Sequence, residues 1–376
     1  MTTEPTAGDD RPEPQTAELE LVIDPLDGAR SRTPVIASEL REQRRAASDS
    51  SLALEERLEA FEDIMDSEVG DTSLSRARNV EREVGLRQIY LKFEGGNPTG
   101  TQKDRIAFAQ AMDALRRGFD AITLATCGNY GAAMALAASV GGLRCEVFVP
   151  ERFQTKRFKE IESFGATIHR TPGDYEATVE HSKRYAEEHE VYDANPGGNN
   201  LSQQLIAYGE IANEIYDELR DAPAAVAVSV SNGTTIAGIY KGFVRLHRRG
   251  KISRLPKMIA GSSFNKNPIV SGFLTNAERC DDLRPEKVRE TAVNEPLINW
   301  HSIDGDAALE AIRASDGWAG HASDRTMLSL SRLLREQQGL NVLPAATAGL
   351  HALISQHKKQ PLTGDRYVVV LTGRKL

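Results

Sequence analysis

Cysteine is scarce in this 376-residue chain: Cys127, Cys145 and Cys280 are odd in number and far apart. That excludes a disulfide framework and a cysteine-rich zinc site, and no metal is expected. Such sparing use suits a reducing cytoplasm, where the chain is expected to reside. Long apolar runs are missing too: nothing approaches the roughly 18 residues of a membrane span, and no basic start leads into an apolar signal segment. Neither export nor membrane insertion is expected. Positive charge is in deficit, with 46 Lys and Arg against 54 Asp and Glu for a net charge of −8. The chain therefore has no general attraction to nucleic acid or anionic membranes, and any anion site must be local. The basic run from Arg245 to Lys251 reads as a solvated helix end.

What is present is ordinary for a globular protein of about two domains, with 40% hydrophobic and 27% charged residues. Residues 1–17 are rich in Thr, Pro, Asp and Glu and nearly free of apolar side chains, so a disordered tail is expected there. Leu52, Leu54, Leu58, Phe61, Ile64 and Met65 repeat at helical spacing and predict a packing helix. Further on, short apolar runs alternate with helical patterns. Strands are expected at 121–125, 145–149, 167–170, 224–230, 258–261 and 367–371, with helices at 153–163 and 175–188, from about 202, and from about 324 to 338. This alternation predicts an α/β fold whose parallel sheets are covered on both faces.

The chain is organised around residues 89–105. The apolar run Ile89 to Phe93 leads through Glu94-Gly95-Gly96-Asn97-Pro98-Thr99-Gly100-Thr101-Gln102 to Lys103-Asp104-Arg105, and then to apolar positions at Phe108, Ala111, Met112 and Leu115. This reads as strand, tight loop and helix, with Lys103 at the helix start. A lysine there can simply be solvated, or it can be an imine-forming nucleophile.

Three other stretches carry chemistry-bearing residues. Ser231-Asn232-Gly233-Thr234-Thr235 leaves a strand and enters a helix; it is either an ordinary turn or a phosphate cradle of converging backbone amides. Its glycine spacing is wrong for a dinucleotide fingerprint. Thr126-Cys127-Gly128-Asn129-Tyr130 follows the 121–125 strand, and Thr372-Gly373 follows the last one. Cys127 is either a reactive thiol at a helix start or a small buried filler.

Asn97-Pro98-Thr99-Gly100-Thr101-Gln102-Lys103-Asp104-Arg105 resembles the Asn-Pro-Thr-Gly-Ser-Phe-Lys-Asp-Arg segment of threonine synthases, pyridoxal-phosphate enzymes of the tryptophan synthase β fold (fold type II). The other stretches resemble that family's loops, and the likeness runs from about residue 70 to the C-terminus. The resemblance implies a Schiff base on Lys103. It implies a phosphate cradle formed by Ser231, Asn232, Gly233, Thr234 and Thr235, with Ser231 where glycine is usual. Asn129 would hold the ring hydroxyl, Thr372 the ring nitrogen, and Thr126, Cys127, Gly128, Asn129 and Tyr130 the amino-acid substrate. Residues 294–300, Asn-Glu-Pro-Leu-Ile-Asn-Trp, resemble a divergent Gly-Asn-Pro-x-x-Trp segment. On this basis 18–70 is expected to be an N-terminal helical segment. Residues 71–102 with 223–376 would form a larger phosphate- and ring-binding domain, and 103–222 a smaller domain that closes on substrate, in a homodimer.

The implied activity is a lyase or synthase acting on a small amino acid, with phosphate the expected leaving group. The same scaffold serves β-replacement enzymes of the cysteate or cysteine synthase type and serine/threonine dehydratases. A cofactor-binding protein without turnover is a further alternative. Two departures bear on the substrate: Gln204 stands where threonine synthases have lysine, and Leu343 where they have glutamate. The charged Lys156, Arg157 and Lys159 read as surface residues, with a substitute clamp for a substrate phosphate as the alternative.

Overall fold

The computed structural model describes residues 35–126 and 128–375; the expected tail at 1–17 and Cys127 lie outside them. The elements run α1 (Arg41–Ser48), α2 (Leu54–Glu68), β1 (Leu74–Arg76), α3 (Arg78–Val84), β2 (Ile89–Phe93), α4 (Lys103–Arg116), β3 (Ala121–Ala125) and α5 (Asn129–Gly141). They continue with β4 (Arg144–Pro150), α6 (Phe158–Ser163), β5 (Thr167–Thr171), α7 (Tyr175–Glu188), β6 (Tyr192–Asp193), α8 (Leu201–Leu219), β7 (Ala225–Ser229), α9 (Thr234–Arg248) and β8 (Lys257–Ser263). Last come α10 (Pro268–Leu274), α11 (Gly305–Ala314), β9 (Trp318–Ala322), α12 (Asp324–Gln338), α13 (Ala348–Lys359) and β10 (Tyr367–Leu371).

Among the described residues the strands form two sheets, ordered β1-β2-β10-β7-β8-β9 and β5-β4-β3-β6. Only the β1–β2 pair is antiparallel. β3, β7 and β10 are buried along their whole length, which is why they read as unbroken apolar runs rather than alternating ones. The fold is the expected α/β arrangement of parallel sheets flanked by helices.

The register places the site. β10 sits between β2 and β7, with Leu371 opposite Phe93 and Val370 opposite Val228. Three neighbouring parallel strands therefore end at one edge of the sheet, and the loops leaving them meet there. In an open parallel sheet this crevice beyond the strand ends is where ligands bind.

The helix expected at 153–163 begins only at Phe158. The apolar spacing that suggested an earlier start is satisfied differently: the rings of Phe153 and Phe158 meet edge-on at 6.1 Å across a turn. The helix expected from 52–65 is α2, which buries Ala60, Phe61 and Ile64. Phe61 lies 5.8 Å from Phe108 of α4. Burying one such side chain contributes about 1.5–3 kcal/mol, so α2 braces the helix that begins with Lys103.

Candidate active site

Lys103 is the first residue of α4, and the loop before it is fixed on several sides. Asn97 donates to the carbonyl and carboxylate of Glu94, both at 3.0 Å, and accepts from the Gly70 amide at 3.0 Å. Asp104, fully buried, accepts from the amide of Thr99 at 3.1 Å and from its hydroxyl at 2.9 Å. Burial pushes the Asp104 carboxyl up to about 7, against the pull of those donors. Gly100 has φ +88°, and a Cβ there would fall 2.5 Å from the Arg374 side chain. The strand after which Thr372 comes closes this loop, since Gln102 donates its amide to the Thr372 carbonyl at 3.0 Å.

Behind the lysine lies a buried ion cluster. Arg105 donates to Glu94 at 2.6 Å and to Glu214 of α8 at 2.6 Å, and Lys92 bonds Glu214 from β2. Burial alone would raise the Glu214 carboxyl, but Arg105 and Lys92 more than offset it and hold it at about 2. The charge of Arg105 is thus matched by two carboxylates.

The turn into α9 has Gly233 as its first cap residue, at φ +99°. No side chain caps the helix, so its first amides have no intrahelical partner and face an anion as donors. The left-handed position falls on Gly233, whereas Ser231 keeps a negative φ, which is why serine is tolerated there. The turn is held from behind: Asn267 and Ser302 donate to the Ser231 carbonyl at 3.0 and 3.1 Å, and Asn299 donates to Asn232 Oδ1 at 2.8 Å. The Thr234 hydroxyl donates to Asp304. Burial raises the Asp304 carboxyl, and the Thr234 hydroxyl with Lys103, Lys241 and Lys183 pulls it back.

On the opposite wall, Thr126 Oγ1 accepts from the amides of Gly128 and Gly131, both at 3.1 Å. Its own proton is left for the cavity. Tyr130 turns its hydroxyl away from the cavity, donating to the Ala194 carbonyl at 2.8 Å, and burial raises it well above the usual phenol range. Lys103 Nζ lies 5.5 Å from the centroid of the Tyr130 ring and 5.9 Å from that of Tyr208.

These residues line one cavity of about 440 Å³. It brings together Lys103, Thr372, the cradle residues Ser231, Asn232, Gly233, Thr234 and Thr235, and the wall residues Thr126, Gly128, Asn129 and Tyr130. Residues 295–300 complete the rim, where Trp300 Nε1 donates to Asp174 at the start of α7 at 3.1 Å.

Two expectations change. Arg157 is no surface residue: it is 5% exposed and donates to Asn129 Oδ1 at 3.1 Å and to the Thr99 carbonyl at 2.8 Å. Lys156 and Lys159 do stay exposed. Gln204 does not line the cavity; it is buried behind Tyr130 and donates to Gln110 at 3.2 Å. Tyr208 and Asp304 carried no motif in the sequence. Among the described residues no group of three or more His, Cys, Asp and Glu could hold a metal, and no helix is long and apolar enough to cross a membrane.

A lysine at a helix start, an uncapped helix end framed by hydroxyls and a neutral threonine in the same cavity fit pyridoxal phosphate. Comparison with known proteins agrees. The family model described as pyridoxal-phosphate dependent enzyme matches residues 65–373. The chain is 30% identical over 308 residues to the threonine synthase of Methanocaldococcus jannaschii, covering 81% of this chain and 74% of that one. It is 29% identical over 286 residues to the threonine synthase of Mycobacterium tuberculosis, covering 76% and 75%. Among solved structures it is similar to the processed form of threonine deaminase isoform 2 from Solanum lycopersicum, with TM-score 0.69 and 14% identity over 88% of this chain and 92% of that one. The serine racemase of maize gives TM-score 0.67 and 16% identity, covering 85% and 94%. The chain therefore belongs to the pyridoxal-phosphate-dependent enzymes of fold type II and is threonine-synthase-like.

Proposed function

We propose that this enzyme removes or replaces a leaving group on the β or γ carbon of an amino acid, with Lys103 as cofactor anchor and base. The observation that supports this most is the convergence of the loops after β2, β10 and β7 with the loop after β3 around one cavity. When bound, pyridoxal phosphate draws electrons from the α-carbon of the amino acid it carries and makes the α-proton acidic. Lys103, displaced by that amino acid, takes the proton at Nζ. The amides at the start of α9, that of Thr234 included, hold the phosphate with the hydroxyls of Ser231 and Thr235, while the Thr234 hydroxyl is donated to Asp304. Asn129 holds the ring hydroxyl. Thr372 gives the ring nitrogen a neutral partner, which suits elimination and replacement better than transamination. The Thr126 hydroxyl holds the α-carboxylate, with Gly128 and the Tyr130 ring as walls.

In this reading residues 103–222 move as the smaller domain and close the cavity, and the enzyme works as a cytoplasmic homodimer. Phosphate is the leaving group that the resemblance carries. The cavity offers no cationic side chain besides Lys103 among the described residues, and this favours a different leaving group. The test is exchange of the α-proton of candidate amino acids in heavy water, with the cofactor's visible band recorded in parallel. Lys103→Ala should abolish both the band and the exchange; retained exchange overturns the reading.

A further inference from the structure

Tyr208 of α8 is fully buried, and among the described residues its hydroxyl has no hydrogen-bond partner. Other polar side chains buried behind the cavity are satisfied. Gln110 donates to the Tyr130 hydroxyl and, at 3.1 Å, to the Ile106 carbonyl. Gln204, one turn before Tyr208 on α8, donates to Gln110 at 3.2 Å. An unmade hydrogen bond on a buried phenol costs free energy that phenylalanine in the same space would avoid. The backbone holds the residue where it is, because α9 lies directly on it. A Cβ at Gly238 would fall 2.7 Å from the Tyr208 Cβ, and one at Gly242 2.5 Å from the Gly209 carbonyl.

The polar group beside this phenol that can move is the Lys103 amine. Nζ lies over the face of the Tyr208 ring, 5.9 Å from its centroid, with the Tyr130 ring at 5.5 Å. The Tyr130 hydroxyl is already committed to Ala194 and Gln110. Tyr208 does not line the cavity, so its oxygen meets neither cofactor nor substrate, whereas a lysine head on its flexible stem swings between positions.

We infer that Tyr208 is a positioning residue for the base: once an amino acid displaces Lys103 from the cofactor, the Tyr208 oxygen accepts an N–H of the freed Nζ. The inference rests on the reading of Lys103 as cofactor anchor and base. An amine that donates an N–H to a phenol oxygen keeps its lone pair for the α-proton. The new N–H bond forms with that proton, the electron pair of the broken C–H bond stays on the substrate, and Tyr208 keeps its own proton throughout. The resulting ammonium is then attracted to the faces of the Tyr208 and Tyr130 rings.

Tyr208→Phe removes the oxygen and keeps the ring. It should melt no lower than the native enzyme, since no partner is lost. The contact forms only while Lys103 is free, so two equilibria read from the cofactor's visible band should respond differently. The apoprotein should take up pyridoxal phosphate no more weakly than before. Displacement of Lys103 in the holoenzyme by L-serine, L-threonine or O-phospho-L-homoserine should need about tenfold more amino acid, and exchange of the α-proton at saturation in heavy water should slow by about tenfold. A merely structural hydroxyl would lower the melting temperature and weaken both equilibria together. That result overturns the inference, and so does unchanged displacement or unchanged exchange in the variant. Exchange that is lost in Lys103→Ala but intact in Tyr208→Phe overturns the inference alone. A native holoenzyme that exchanges the α-proton of none of the three amino acids overturns the base reading and the inference with it.

Discussion

Arg157 Nε donates to Oδ1 of Asn129 at 3.1 Å, joining residues 28 apart in sequence. Arginine has no acceptor, so the carbonyl of the asparagine side chain must face it and the NH2 is left to donate into the cavity. The same guanidinium holds the Thr99 carbonyl of the lysine loop at 2.8 Å and pairs with Glu160 at 2.6 Å. It therefore sets both the orientation of Asn129 and its distance from the Lys103 segment. Arg157→Met should lower kcat/KM by about 100-fold, the cost of a misplacement near 1 Å, and should shift the cofactor's visible band. Lysine, a point charge without the fork, should rescue only part. A purely structural role would lower the melting temperature and leave the band of the folded protein in place.

The ion cluster of Lys92, Arg105, Glu94 and Glu214 makes a stability prediction with a definite sign. Glu214→Gln leaves two buried cations facing one carboxylate, and removing one partner of a buried pair costs about 3–5 kcal/mol. The folded-state pKa of Glu214 is depressed from 4.5 to about 2. Its contribution is thus fully present above the unfolded value and is lost as pH falls towards the folded one. Denaturant titrations at several acidic pH values should show the acid limb of the stability profile flattened in Glu214→Gln. An unchanged limb would place the acid sensitivity elsewhere.

The chemistry of the site was more legible in the sequence than its support. β2, β3 and β10 run where the apolar runs ended, because strands buried on both faces leave no polar alternation to confuse the reading. β1, β6 and β9 escaped it: the first two are three and two residues long, and β9 carries Gly320 and His321 with half-exposed positions. Arg157 escaped for another reason. It lies between exposed Lys156 and buried Phe158, two residues from exposed Lys159, so its local pattern is that of a surface turn. What buries it are Asn129 and Thr99, the latter 58 residues away.

Asp304 places a carboxyl against the cradle through the Thr234 hydroxyl. Its pKa is raised, first by burial, with Thr234, Lys103, Lys241 and Lys183 opposing. While the carboxyl is protonated it adds no charge beside the cofactor phosphate. As pH rises through its pKa a negative charge appears there, so the affinity for pyridoxal phosphate should fall with rising pH. Asp304→Asn removes that charge and should flatten the dependence, with about tenfold tighter binding on the alkaline side. Fluorescence titration of the apoprotein with pyridoxal phosphate at a series of pH values upward from the ordinary carboxylate range measures this; an identical slope in the variant would assign the dependence to another group.

Gly233 and Gly250 separate two costs that one substitution at the cradle would confound. Both have positive φ, +99° and +66°, so alanine at either is strained by roughly 1–2 kcal/mol. At Gly250 a Cβ meets nothing within 4 Å. At Gly233 it would fall 2.8 Å from the Asp304 carbonyl and 2.9 Å from the Ala308 Cβ, and the Asp304 amide in turn donates to the Asn232 carbonyl at 2.9 Å. The cradle and the start of α11 must therefore separate to admit the methyl. Gly250→Ala should cost stability by the strain alone and leave cofactor affinity unchanged. Gly233→Ala should cost more stability and weaken pyridoxal phosphate by about 100-fold or more, since the amides at the start of α9 no longer converge. Thermal melts and apoprotein titrations of the two variants decide it. Equal cofactor affinity in both would mean that the turn at Gly233 does not hold the phosphate.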